Sequence, residues 1–388
     1  MDKKLRHISL FSGCGGMDLG VLGGFKVNNA FLNEPFATDG FSLVPRSKFK
    51  TIFANDIKEV SYNFWKHNHP TLVNNFVLGS VVDLVKEHKK NHNIFPSQVD
   101  LLTGGFPCQD FSVSGLRKGL NSHKSHLNNT EIKNLNETRG KLYLWMKEVI
   151  EITKPTIFVA ENVKGLANLG DVLDIIKKDF AQSSDGYEIY SRELFAPDFG
   201  IPQTRRRIFI IGVNKAFINS NNLQLHADDL FPEPEFSEHS SLFNTKPYPK
   251  AKHFFFGLLR PDLTTDMSQK YYSKAKYTPH TQGQTEVNEQ RLAPTIRSEH
   301  HGNIEFRYLD KISGGKNPIP KGEHQRRLTV RECARIQTFP DELEFVFKSG
   351  NKDGLSASAA YKLIGDAVPP LLAYKITNKL EKILLKYS

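Results

Sequence analysis

The sequence predicts an α/β fold: a doubly wound, mostly parallel sheet with a second, smaller domain. Three observations predict it. Short β-branched or aromatic runs alternate with amphipathic helical patterns through the first half of the chain. A glycine cluster follows the first such run directly, where an α/β sheet turns from strand into helix. After Val213 the alternation stops, and apolar periodicity returns only from Leu328.

The candidate strands are residues 7–11, 51–55, 99–103, 156–160, 187–194 and 207–213. Between them, Leu142, Met146, Val149 and Ile150 recur at helical spacing and form one apolar stripe, and residues 57–68 and 171–182 read the same way. Residues 117–139 are polar and asparagine-rich without a stripe, which predicts a long loop. From 214 the chain turns polar and proline-dotted, then rich in aromatics and charges, which predicts a smaller domain over 214–327 beside a first domain over 1–213. Leu372, Ile376, Leu380, Ile383 and Leu384 mark a closing amphipathic helix, so 328–388 is expected to return to the first domain.

A chain of 388 residues is far above the size that needs disulfide or metal staples, and 39% hydrophobic residues excludes wholesale disorder. No apolar run approaches the roughly 18 residues of a membrane span, and the first residues lead into the glycine cluster rather than a signal-peptide core. The three cysteines, Cys14, Cys108 and Cys333, are too few and scattered for a disulfide framework. A soluble protein of a reducing cytoplasm is expected. Lys plus Arg exceeds Asp plus Glu by 52 − 42 = 10, which favours a polyanionic partner. Within 246–308, ten Lys or Arg face six Asp or Glu, interleaved with aromatics such as Tyr248, Phe254, Tyr271 and Phe306, as a nucleic-acid surface requires. Adjacent His300 and His301 would point to opposite faces of a strand, so no metal site is expected.

Chemistry concentrates at the expected carboxyl edge of the sheet. Phe11, Ser12, Gly13, Cys14, Gly15 and Gly16 form a turn that can hold a nucleotide-like cofactor or simply link strand to helix. Asn55, Asp56 and Ile57 end the next strand, where Asp56 can accept bonds from ribose hydroxyls, cap the following helix, or do both. Cys108 follows Pro107 in a glycine-flanked polar turn. Most lone thiols are buried and inert, but this context favours an exposed nucleophile. Glu161 ends another strand on the same edge and suits proton donation to substrate, because a carboxylate does not make a neighbouring thiol more acidic. Arg205 or Arg207 can offset negative charge.

In order along nearly the whole chain, these residues resemble the cytosine-C5 DNA methyltransferases of bacterial restriction-modification systems. The series runs from the Phe11 to Gly16 loop and Asn55-Asp56 to Gly105-Phe-Pro-Cys-Gln109 with Phe111-Ser112, then Glu161-Asn-Val163 and Gln203-Thr-Arg-Arg-Arg207. It closes with the stretch from Arg327 to Pro340 and with Gly365-Asp-Ala-Val-Pro-Pro370. A Pro-Cys-Gln tripeptide alone proves little; the ordered series is specific.

The resemblance implies a Rossmann-like, S-adenosylmethionine-dependent methyltransferase whose 214–327 segment recognises the target. It implies cofactor contacts from Phe11, Ser12, Gly13, Cys14, Gly15, Gly16, Asn55, Asp56, Ile57, Pro107 and Asp366, with DNA contacts from Gln109, Ser112 and Gln203. Cys108 would add to cytosine C6 while Glu161 protonates or hydrogen-bonds N3, Arg205 would hold the base oxygen, and Arg207 would orient substrate or Cys108. A stacked base cannot present C6 to a thiol, so the nucleotide must be flipped out. The partner is double-stranded DNA, with a cognate restriction endonuclease acting separately, and the enzyme is expected to be a monomer.

This sequence departs from the family at Ser9, where aspartate is frequent, at Gly79-Ser80, where Gly-Asp is common, and at Asp366, which stands where asparagine is frequent. Additional residues fall between Val27 and Lys50 and between Leu120 and Glu137. Three other readings compete: a transfer-RNA cytosine methyltransferase, a non-catalytic DNA-binding relative, and a nicotinamide-dependent oxidoreductase. The sizeable second domain opposes the first, the retained Cys108 and Glu161 the second, and the Gly105 to Ser112 stretch the third.

Overall fold

A computed structural model describes residues 4–33, 40–107, 142–168, 171–240, 245–275, 285–298, 304–348 and 354–387. Cys108, Gln109, Ser112, the polar 117–139 segment and the His300-His301 pair lie outside the described residues.

A seven-stranded sheet forms the centre. In chain order its members are β1 (Leu5–Leu10), β4 (Phe49–Asp56), β5 (Phe76–Leu78), β6 (Leu101–Gly105), β7 (Ile157–Val163), β8 (Tyr187–Phe195) and β9 (Arg206–Asn214). The short hairpin of β2 (Lys26–Asn28) and β3 (Phe41–Leu43) stands apart from it. Across the sheet the order is β5-β4-β1-β6-β7-β9-β8. Neighbours from β5 through β7 are parallel, whereas β9 runs antiparallel to both β7 and β8. All six expected strands are present. The seventh, β5, has three residues, too few to show an alternation.

Side chains alternate between two buried layers, which is what double winding demands. Ile8, Leu10, Phe158, Ala160, Ile208 and Ile210 face α3 (Val81–Glu87), α4 (Leu142–Thr153) and α5 (Val172–Ala181). Val159, Phe209, Ile211 and Ala54 face the other layer, with α1 (Gly16–Leu22), α2 (Glu59–Asn68) and the C-terminal helix. The expected stripe holds: Met146, Val149 and Ile150 of α4 are buried.

Three late helices complete the site's walls: α6 (Val330–Ile336), α7 (Ala357–Asp366) and α8 (Pro370–Tyr387). The α8 helix buries Leu372, Ile376, Leu380 and Leu384. It lies so close to α1 that a side-chain carbon at Gly20 would collide with Ala373 and the Pro370 carbonyl. The start of α6 explains much of the Arg327 to Pro340 stretch in structural terms. Thr329 Oγ1 accepts from Glu332 N at 3.0 Å and Glu332 Oε2 accepts from Thr329 N at 2.7 Å, a reciprocal cap. The same buried Glu332 receives Arg326 through two bonds of 2.9 and 3.1 Å.

Candidate active site

Parallel strands present their carboxyl ends at one edge, and four of the chemistry-bearing loops leave from there. The first is the glycine turn after β1. Phe11, Gly13 and Gly15 all have φ between 53 and 73°, a left-handed path that glycine adopts without strain. Gly13 N donates to Asp56 Oδ2 at 2.8 Å, and Trp65 Nε1 donates to Gly13 O at 3.2 Å, so the end of β4 and the body of α2 hold the turn open. Asp56 Oδ1 accepts Lys58 N at 2.8 Å. The helix therefore begins at Glu59 rather than at Ile57, and Asp56 fastens the turn ahead of it instead of acting as its N-cap.

Open space adjoins the turn. A side-chain carbon built at Gly13 or at Gly79 meets nothing within 4 Å, so both glycines border open space. Asn55 donates to Val77 O and Gly79 O at 2.8 and 2.9 Å, which ties β4 to β5 beside that space, and Ile57 projects into solvent next to it. Cys14 behaves differently from its neighbours: its thiol is buried against Leu363 O of α7 at 3.4 Å, and burial pushes its pKa above the ordinary thiol range. Only its backbone is left to touch a cofactor.

Gly105 and Glu161 are register partners where β6 and β7 end. A side-chain carbon at Gly105 would sit 3.0 Å from Glu161 Oε2, so the glycine makes space for the carboxylate. Asn162 Nδ2 donates to Phe106 O at 3.0 Å, fixing the backbone next to Pro107, the last described residue before Cys108.

The antiparallel sense of β9 brings a strand start, not a strand end, to this edge: Arg207 lies across from Val163. Its Nε approaches Glu161 Oε1 at 3.0 Å, with both side chains largely buried. Burial raises the Glu161 pKa, Arg207 and then Arg205 oppose the rise, and the net direction is upward. A carboxyl group so placed holds a proton more readily than an ordinary glutamate does.

Two sequence expectations need correction. Arg205 is 1% exposed, and its guanidinium donates to Ile296 O at 2.9 Å, Gly365 O at 3.2 Å and Ala367 O at 2.7 Å. Both terminal nitrogens are taken by backbone carbonyls and the buried Nε has no partner among the described residues, so Arg205 holds late segments of the chain; Arg207 is the guanidinium beside Glu161. Gln203, expected on DNA, is wholly buried: it donates to Ile336 O and Gln337 Oε1, both at 3.0 Å, and accepts from Ile296 N. Its amide joins three chain segments and is closed off from a phosphate or base.

Sequence reasoning missed Lys58, whose Nζ lies 2.8 Å from Asp366 Oδ2, and Asp18, a buried carboxylate in the first turn of α1. The first had a signal two residues past Asp56; the second had none, since acidic residues are ordinary at helix starts. Among the described residues no cluster of three or more metal-ligating side chains is present, and no helix is long and apolar enough to cross a membrane.

The sequence matches the family described as C-5 cytosine-specific DNA methylase over residues 5–382. Among known proteins, it is 32% identical to Type II methyltransferase M.BsuRI of Bacillus subtilis over 99% of this chain and 81% of that one. It is 29% identical to Type II methyltransferase M.NgoPII of Neisseria gonorrhoeae over 98% of this chain and 96% of that one. Solved structures of the same fold include the Dnmt2 methyltransferase of S. pombe, at TM-score 0.59 and 17% identity over 98% of this chain and 99% of that one. The methyltransferase EhMeth of Entamoeba histolytica matches at TM-score 0.59 and 17% identity, covering 99% of each chain.

Proposed function

The chain belongs to the C-5 cytosine-specific DNA methylase family, and from that premise we propose that Cys108, Glu161 and Arg207 act together on a cytosine swung out of duplex DNA. The enzyme methylates cytosine C5 in DNA, and S-adenosylmethionine, when bound, supplies an electrophilic methyl group. Gly13, Asp56 and the open border at Gly79 fit a nucleoside, and they are the residues that would hold it, together with the backbone of Phe11, Ser12, Cys14, Gly15 and Gly16, with Asn55, Ile57 and Pro107, and with Asp366.

The observation that carries the catalytic assignment is the Glu161–Arg207 pair at the carboxyl edge, directly behind the backbone leading to Cys108. The Cys108 thiolate would add to C6, and the C5–C6 π electrons would then be available at C5. Glu161 would hold a proton at N3 so that the ring accommodates the added electron density, and Arg207 would keep Glu161 oriented and offset charge on the adjacent base oxygen. After transfer, the C5 proton departs to base and the C6–S bond breaks, restoring the aromatic ring and the thiolate. C6 is inaccessible in stacked duplex, so extrusion of the nucleotide at a cost of a few kcal/mol belongs to the same proposal. Gln109 and Ser112 are assigned to DNA contact.

The relatives' name, Type II methyltransferase, supports a restriction-modification setting, and a separate cognate endonuclease belongs to the same proposal. A cytoplasmic monomer, reading its target through residues 214–327 and returning to the first domain over 328–388, completes the reading. Duplexes carrying 5-fluorocytosine in the preferred sequence, given with the methyl donor, are expected to become covalently attached to the wild-type chain and not to C108S, because fluorine cannot leave C5 as a cation. Bisulfite sequencing of DNA from cells expressing the enzyme identifies that sequence. Failure of the wild-type chain to cross-link would overturn the mechanism.

A further inference from the structure

Three charges from two distant parts of the chain meet at the rim of the cofactor site. Asp56 ends β4 and accepts Gly13 N; Lys58 follows it by two residues; Asp366 ends α7 and meets the Lys58 ammonium at 2.8 Å. Neither member of the pair is free to drift. The Lys58 backbone is bonded to Asp56 Oδ1. The carbonyls on either side of Asp366, those of Gly365 and Ala367, are both held by Arg205 Nη2. Burial alone would lower the pKa of the Lys58 ammonium, yet Asp366 and then Asp56 outweigh it and leave it raised, so the cation feels both carboxylates.

Asp366 acts over more than this pair. Its charge also reaches Cys14 in the glycine turn and Glu161 in the catalytic pair. A methyl donor held by that turn and delivering to a base beside Glu161 must carry its sulfonium within this field. The donor has one carboxylate, one ammonium and one sulfonium, a net single positive charge; the thioether product has lost the sulfonium charge and is neutral overall. Their affinities therefore respond differently to the local charge sum, which is one negative unit for Asp56, Lys58 and Asp366 together.

We propose that Lys58 and Asp366 are specificity-determining residues, whose charge balance sets how strongly the site prefers the cationic methyl donor over its neutral product. The inference rests on the methyl-transfer reading. The pair is partly exposed, at 50% and 41% of the two side chains, so solvent screens it and the effect is modest. Changing one unit of charge in a rim of intermediate polarity shifts the affinity of a nearby cation by roughly three- to tenfold.

Titration calorimetry on the full chain, with S-adenosylmethionine and S-adenosylhomocysteine at low and high salt, tests it without requiring turnover. K58M is expected to raise the donor-to-product affinity ratio by roughly three- to tenfold, and D366N to lower it by a similar factor. The double variant restores the starting charge sum and is expected to return close to the wild-type ratio. K58R, which keeps the charge, holds that ratio, and K58Q stands in should K58M melt early. All differences shrink as salt rises. A ratio common to all variants, or parallel changes in both affinities, overturns the inference and leaves the methyl-transfer reading standing. Absence of binding of either ligand to the wild-type chain overturns that reading itself.

Discussion

The Gln203 to Arg207 stretch divides into two regions with opposite physics. Gln203 and Arg205 turn inward and donate to the main-chain carbonyls of Ile296, Ile336, Gly365 and Ala367 and to Gln337 Oε1, clasping late segments of the chain onto the start of β9. Arg207, two residues on, turns to the sheet edge and meets a single carboxylate, Glu161. The clasp satisfies neutral acceptors. The edge pair keeps a carboxylate whose preferred protonation state is open to change. A motif with two arginines thus holds one that maintains the fold and one placed for chemistry, and burial pattern rather than residue type tells them apart.

The largest expected effect breaks that comparison at the edge. Glu161→Gln keeps shape and a contact to Arg207 but cannot deliver a proton to N3, so single-turnover methyl transfer is expected to fall by about two to four orders of magnitude. The melting temperature should stay within a few degrees. A variant with near wild-type transfer would remove Glu161 from the chemistry. Because burial raises the Glu161 pKa, the wild-type rate constant for the chemical step should decline on the alkaline side as this carboxyl ionises, a limb that E161Q should lack.

Next in size is the clasp. Arg205→Met removes the donor to the buried carbonyls of Ile296 and Gly365, while Ala367 O keeps Gln337 Nε2, and is expected to destabilise the chain by about 2–4 kcal/mol in denaturant unfolding. Arg207→Met should cost no more than about 1–2 kcal/mol while depressing turnover. Equal losses of stability in the two variants would erase the distinction. Gln203→Leu, with its acceptor and donors buried, should cost about 1–3 kcal/mol and leave DNA affinity at fixed salt unchanged; a weakened DNA affinity with stability intact would return Gln203 to the DNA surface.

The readability of the molecule from its sequence follows the same division. Strands and helices with a sustained period were legible, since Met146, Val149 and Ile150 or the run through β7 report their faces directly. The three-residue β5 was not, and neither was the antiparallel sense of β9, because strand direction depends on the sheet partner and leaves no local trace. At the site, Glu161 and Asp56 were legible as carboxylates at strand ends. The fates of Gln203 and Arg205 were not: what captures them are carbonyls from Ile296 to Ala367, about ninety or more residues away. Lys58 and Asp366 stand 308 positions apart, and nothing near either one announces the other.

Asp18 sharpens the contrast from the opposite direction, as a buried polar group that no clasp serves. It is 2% exposed, and neither carboxylate oxygen has a hydrogen-bond partner among the described residues. Burial pushes its pKa up to about 7. The folded chain thus holds this proton more tightly than the unfolded chain does. The favourable contribution is complete below the unfolded value near 4 and disappears as pH climbs toward about 7. Asp18→Asn removes the ionisation. Relative to wild type, it should gain stability at pH 8, by at most about 4 kcal/mol, and gain little at pH 4.5. Chemical unfolding of both proteins at the two pH values measures this. An equal difference at both would mean that Asp18 has found a partner and belongs with the clasp after all.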